Sequence, residues 1–186
     1  MHSSSERRVA FSHELLKTFA AVPVASALLV REDQPAGHAE ALVRLGFAVE
    51  VRVPVAEQAL VERELIAHHP GPLSWSVHAI GEPLAEAAFD WVVWALPADP
   101  SPGAIAAELA RIRTALRPGG WCYLFSPEGS VASEDQAAST ARPYAPRHLT
   151  AWADTAQLVE AATPWYVAEE EALHAIYRRV ESDTPV

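Results

Sequence analysis

A single α/β domain built on a mostly parallel sheet is the fold class this sequence predicts, on three observations. Short apolar runs alternate with stretches of helical period along most of the chain, the pattern of strands joined by crossover helices. The first such run, residues 24–30, carries no polar alternation, as a central parallel strand covered on both faces requires. The 186 residues, half of them hydrophobic, suffice for one core closed without disulfides or metals.

Taken in order, residues 1–10 are polar and read as a loose, flexible tail, with the domain over 11–182. Residues 11–21 predict a helix: Ser12 can cap it, Leu15, Leu16 and Phe19 form its apolar stripe, and Pro23 ends it. After the strand at 24–30 comes a polar loop. A helix over 37–45 follows, with Ala41, Leu42 and Leu45 inward and Gly46 at its end. The second strand is 47–53, stopped by Pro54. A helix over 56–68 takes its period from Leu60, Glu64 and Leu65, and Pro70-Gly71-Pro72 breaks it. Strands three and four are 73–79 and 90–96. Ile105, Leu109, Ile112 and Leu116 recur on one helix face before the fifth strand at 121–125. Residues 127–146, rich in Ser, Ala, Glu and Pro, read as a mobile insertion. A helix over 148–162 and two closing strands, 165–171 and 173–181, complete the domain.

Composition narrows the function. The formal charge is -10 and no basic block stands out, so nucleic acid is a poor partner. No apolar run approaches bilayer length and the start has no secretory core, so the expectation is a cytoplasmic protein without a membrane partner. Cys122 is the one cysteine and reads as a small buried core residue. His68-His69 is a solvated helix terminus, because adjacent helical residues point apart; no metal site is expected.

The stretch Phe89-Asp90-Trp91-Val92-Val93-Trp94-Ala95-Leu96, a helix, and Arg117-Pro118-Gly119-Gly120-Trp121-Cys122-Tyr123-Leu124-Phe125 resembles the second half of a class I S-adenosylmethionine (SAM) methyltransferase domain. The small bacterial tellurite-resistance type is the most similar in length and in Arg142-Pro143-Tyr144-Ala145. The resemblance covers about residues 20–181. It implies a Rossmann-like α/β fold: a seven-stranded sheet, order 3-2-1-4-5-7-6, strand seven antiparallel, helices on both faces.

In that family the first strand is followed by Asp-x-Gly-x-Gly-x-Gly. Anchored on Leu42 and Gly46, its Asp falls on Val30 and its glycines on Glu32, Gln34 and Ala36. The acidic residue that holds the ribose falls on Val53, and the one that reads the adenine on Ala79. Slipping the alignment by one residue recovers a single glycine, Gly37. A carboxylate on the ribose contributes charge-assisted hydrogen bonds of about 1.5–3 kcal/mol each. Losing two weakens binding by roughly two to four orders of magnitude. Asp33 or Gln34 can instead cap a helix with Pro35 in its first position.

No SAM or other cofactor is therefore expected, and the chain reads as a methyltransferase-fold pseudoenzyme acting as a binding or assembly partner, through an unknown protein or as a homodimer. The alternative is a divergent SAM-dependent methyltransferase of small molecules with a rebuilt loop, Glu32 or Asp33 facing the sulfonium. A third reading is a homo-oligomeric scaffold joined through some of the six tryptophans. No catalytic residue is assigned. Asp99, Glu128, Glu134, Asp135, His148 and Asp154 fall on the rim that faces substrate in the resembling fold, without acid–base spacing. Glu169-Glu170-Glu171 reads as a charged edge that deters strand pairing.

Overall fold

The computed structural model describes residues 12–30, 35–68, 74–97, 101–126, 144–170 and 172–180. The tail at 1–10, Glu32, Asp33, Gln34, Asp99, Glu128, Glu134, Asp135 and the insertion up to residue 143 lie outside them.

Helix α1 (His13–Ala20) starts where Ser12 accepts a hydrogen bond from the Leu15 amide, and it buries Leu15 and Phe19. Strand β1 (Ser26–Val30) begins two residues later than the apolar run, because Val24 is solvent-exposed. Helix α2 (Pro35–Arg44) has Pro35 as its first residue. Its buried residues are His38, Ala39 and Leu42; Leu45, expected inward, is exposed beyond the helix end. Strand β2 (Ala48–Val53) leads to helix α3 (Val55–His68), which packs through Val61 and Leu65. The period expected from Leu60 is off by one residue, and Leu60 faces solvent.

Strands β3 (Trp75–Ala79) and β4 (Phe89–Ala95) are joined by residues 80–88 without a helix. Helix α4 (Pro102–Ala115) buries Ile105, Leu109 and Ile112 and runs straight into strand β5 (Leu116–Phe125). That strand starts five residues earlier than expected. Leu116 pairs with Phe89, residues 117–120 loop out, and pairing resumes at Trp91 and Trp121. Gly119, at φ +76°, turns the loop through a backbone region that side chains disfavour. The Phe-Asp and Pro-Gly-Gly stretches meet there: Arg117 donates twice to the Asp90 carboxylate, at 2.9 and 2.8 Å.

Helix α5 (Pro146–Thr155) is shorter than the sequence suggested. Gln157, at φ +57°, ends it, and the apolar residues that follow form strand β6 (Leu158–Val167) rather than a last helical turn. Strand β7 (Ala172–Arg179) completes the described elements. Glu169 and Glu170 therefore stand in the β6–β7 turn, not in an edge strand, and Glu171 lies outside the described residues.

The strand order is β3-β2-β1-β4-β5-β7-β6, with β1 to β5 parallel and β7 antiparallel to both neighbours. Alternate residues feed two cores. Leu28, Val30, Trp94 and Leu124 meet α4 and α5. Ala27, Leu29, Val51, Val53 and Tyr123 meet α1, α2 and α3. Because no helix links β3 to β4, the second face of β2 and β3 is polar, carrying Glu50, Arg52, Ser76 and His78 in register. Among the described residues, no helix is long and apolar enough to cross a membrane.

Candidate functional site

Open parallel sheets hold ligands beyond the carboxyl ends of their strands, near the point where the strand order reverses. Here β1 ends on Val30, β2 on Val53 and β3 on Ala79, the three residues onto which the sequence resemblance carries the family's polar cofactor contacts. All three are buried, with 2%, 0% and 6% of their surface exposed. Val30 belongs to one core layer and Val53 to the other. Ala36, in the first turn of α2, is half-buried against the α1–α3 layer.

Polar groups beside these strand ends bond to the chain itself. Arg52, 5% exposed, donates to the carbonyls of Ala79, Glu82 and Pro83, each at 3.2 Å, and pairs with Glu50 at 2.6 Å. The Glu82 carboxylate accepts the Ala79 amide at 3.0 Å. That bond, with the nearby His78 and Arg52, holds the exposed Glu82 carboxyl below the usual range against the opposing effect of desolvation. The Ile80 amide closes on the Val53 carbonyl at 2.9 Å. Past β4, the Tyr144 hydroxyl donates to the Pro97 carbonyl. The Trp94 indole N–H is buried with no hydrogen-bond partner among the described residues.

A second polar cluster sits on the α1 face, where β5 ends and β7 begins. The wholly buried His174 has its Nδ1 2.9 Å from the Tyr123 hydroxyl and its Nε2 3.1 Å from Glu170. Its ring lies between those of Phe125 and Trp165. Glu170 also accepts from the Ser12 hydroxyl and the Glu14 amide, each at 2.9 Å, and the Ser12 amide donates to His38 Nε2 at 3.1 Å. Burial lowers the His174 pKa, although Glu170 and Glu14 pull the other way. Burial also pushes the Tyr123 phenol up. The Nε2 atom faces the Glu170 carboxylate at 3.1 Å without hydrogen-bond geometry. With His174 sealed from solvent, the cluster works as a strap: the bonds of Ser12 and Glu14 to Glu170 hold α1 to the β6–β7 turn.

Sequence reasoning missed Arg52 and His174 and read Glu170 as an edge charge only. Arg52 had a signal, the strict alternation of Val49-Glu50-Val51-Arg52-Val53, which marks a strand with one polar face. His174 interrupts the apolar run Leu173-His174-Ala175-Ile176. Of the rim residues, His148 and Asp154 lie on α5; His148 packs its ring on Trp152, and Asp154 is exposed. None of the six tryptophans is exposed; each is buried or half-buried. Among the described residues, no group of His, Cys, Asp and Glu could hold a metal ion.

No family model matches the sequence, and no curated protein does. Solved structures do resemble it. A SAM-dependent methyltransferase from Methanosarcina mazei is 12% identical, with a TM-score of 0.66 over 92% of this chain and 99% of its own. The 1,6-didemethyltoxoflavin-N1-methyltransferase of Burkholderia thailandensis, solved with its substrate and S-adenosylhomocysteine, is 17% identical, with a TM-score of 0.60 over 89% and 78%. PigF, solved with SAH, is 13% identical, with a TM-score of 0.64 over 84% of this chain; the chain spans 51% of PigF. These likenesses show that the chain has the Rossmann-like fold of class I SAM-dependent methyltransferases.

Proposed function

We propose that this methyltransferase-fold chain does not hold SAM through the contacts usual in that family and acts as a non-catalytic binding or assembly partner. The observation that carries the reading is the strand ends: Val30, Val53 and Ala79 are apolar and packed into the core. An adenosyl group laid across them would surrender its hydration without gaining acceptors for its hydroxyls and amine. The proposal extends to a cytoplasmic location, on the acidic composition and the lone thiol, and to self-association or an unidentified protein as partner. Calorimetric titration with SAM and S-adenosylhomocysteine should give no heat, and micromolar binding would overturn it. Light scattering of the purified chain distinguishes a homodimer from a monomer awaiting another protein.

A second reading, a divergent methyltransferase acting on a small molecule, is favoured by the likeness to solved methyltransferases and by the intact sheet. It requires turnover of labelled SAM against a substrate panel. It also requires that Glu32→Ala or Asp33→Ala reduce that turnover, since both residues belong to the divergent loop after β1.

A further inference from the structure

At the opposite, amino-terminal edge of the parallel strands lies a cavity of about 470 Å³. Its walls come from Thr18 of α1, Val22 just beyond it, the starts of β4 and β5, and Ala162 and Ile176 of β6 and β7. That volume lies within the range of small-molecule sites. Two of its residues, Trp91 and Trp121, stack with centroids 5.6 Å apart and planes 16° apart. Phe19 packs on Trp91 at 4.8 Å, and the Arg178 guanidinium stands 5.3 Å over Trp121. The aromatic wall is thus held from both sides before any ligand arrives, which lowers the ordering cost of binding.

The charges around this apolar cavity have a definite sign. Asp90 is anionic: burial opposes its ionisation, but Ser26 and Arg117 hold its carboxyl below the usual range. Arg117 makes both of its bonds to Asp90 through Nη1 alone, so among the described residues its Nε and Nη2 donors are open to another acceptor. Arg178 donates from Nε to the Gly119 carbonyl at 3.2 Å, beside the same loop. Two guanidiniums against one carboxylate leave a local excess of one positive charge on a chain whose formal charge is -10.

We infer that this cavity binds a flat aromatic anion, an aryl carboxylate in chemical class, with its ring against Trp91, Trp121 and Ile176 and its carboxylate on Arg117. The site lies away from the cofactor crevice and does not rest on the function proposed above. The test is a calorimetric titration of the intact chain with 2-naphthoate, repeated with neutral 2-naphthamide and followed in parallel by tryptophan fluorescence. Saturable one-to-one binding of the naphthoate is expected, with the amide about tenfold weaker or more for want of a charge-assisted bond. Ala162→Trp, which fills the cavity, should abolish binding. Arg178→Gln, at an exposed position, should weaken it several-fold while leaving the far-ultraviolet circular dichroism unchanged. Equal affinity for acid and amide, an unaffected folded Ala162→Trp variant, or no saturable binding would each overturn the assignment. If Ala162→Trp fails to fold, the acid–amide comparison and Arg178→Gln still decide it.

Discussion

Replacing Arg52 by methionine keeps most of the side chain's bulk and removes its charge and donors. In the native protein that guanidinium satisfies the carbonyls of Ala79, Glu82 and Pro83 and neutralises Glu50, whose side chain is 20% exposed. Three charge-assisted bonds at about 1.5–3 kcal/mol each set a ceiling of roughly 4.5–9 kcal/mol. The ceiling is not reached, because Gly81, Glu82 and Pro83 are exposed and water can rehydrate the freed carbonyls. The better guide is the loss of about 3–5 kcal/mol seen when one member of a buried ion pair is removed. Set against a total stability of about 5–15 kcal/mol, this is a large fraction. In urea, at about 2 kcal/mol/M, it moves the unfolding midpoint down by roughly 2 M. Arg52→Lys, with a charge but no planar fork, should fall between wild type and Arg52→Met. Adding Glu50→Gln to Arg52→Met should recover part of the loss, because the carboxylate no longer stands alone. A loss below about 1 kcal/mol would refute the claim that Arg52 stitches the β3–β4 connection to β2.

Gly120→Ala should cost about 1–3 kcal/mol in the same assay, since a Cβ there would lie 2.9 Å from the Arg117 carbonyl and 3.2 Å from that of Asp90, both backbone atoms. His174 has a folded pKa below its unfolded value near 6.5, so the unfolded chain binds its proton first and stability falls as pH drops below 6.5. The slope reaches at most about 1.4 kcal/mol per pH unit, and urea melts at pH 7 and pH 5.5 should show a loss that His174→Gln lacks. Cys122, fully buried with its thiol pushed far above the ordinary range, should react with an aromatic disulfide reagent only at the rate of global unfolding; fast labelling in native buffer would contradict its place in the core.

Most of the fold was legible because it is encoded in periodicity. Leu28 and Leu29, adjacent in β1, feed opposite cores, and that is what an apolar run without alternation announces. The Ile105, Leu109, Ile112 face of α4 was equally direct. Errors fell where two signals overlapped. Residues 158–162 continue a helical composition, yet the backbone of Gln157 turns out of the helix, and no side-chain pattern marked that reversal. On α3, apolar residues occur all round the helix, so Leu60 and Val61 compete for the inner face and only the packing chooses. The strand ends were legible: Val30, Val53 and Ala79 close β1, β2 and β3, where the apolar runs stop. The alternation at Arg52 marks a polar strand face but not its bonds to Glu82 and Pro83, and Glu170 meets Ser12 across 158 positions, contacts that a local pattern cannot carry.

The two ends of the sheet make separate demands on a ligand, and this separates the functional readings. At the carboxyl ends, the backbone groups that neighbour Ala79 are bonded to Arg52 and Glu82, so a nucleoside must displace protein hydrogen bonds before forming its own. At the amino ends, Arg117 keeps donors in reserve beside preformed aromatic rings. A ligand of the second site needs no rearrangement of the first, and the sheet between them is packed from Val30 to Ala27 without a break. Naphthoate affinity should therefore be the same with and without saturating SAM, whether or not SAM binds. If SAM does bind and shifts that affinity, the two ends share a conformational equilibrium, and the claim that they are independent fails. If neither ligand binds, the proposed protein partner is the reading left to test for a domain whose strand ends Val30, Val53 and Ala79 are apolar and buried.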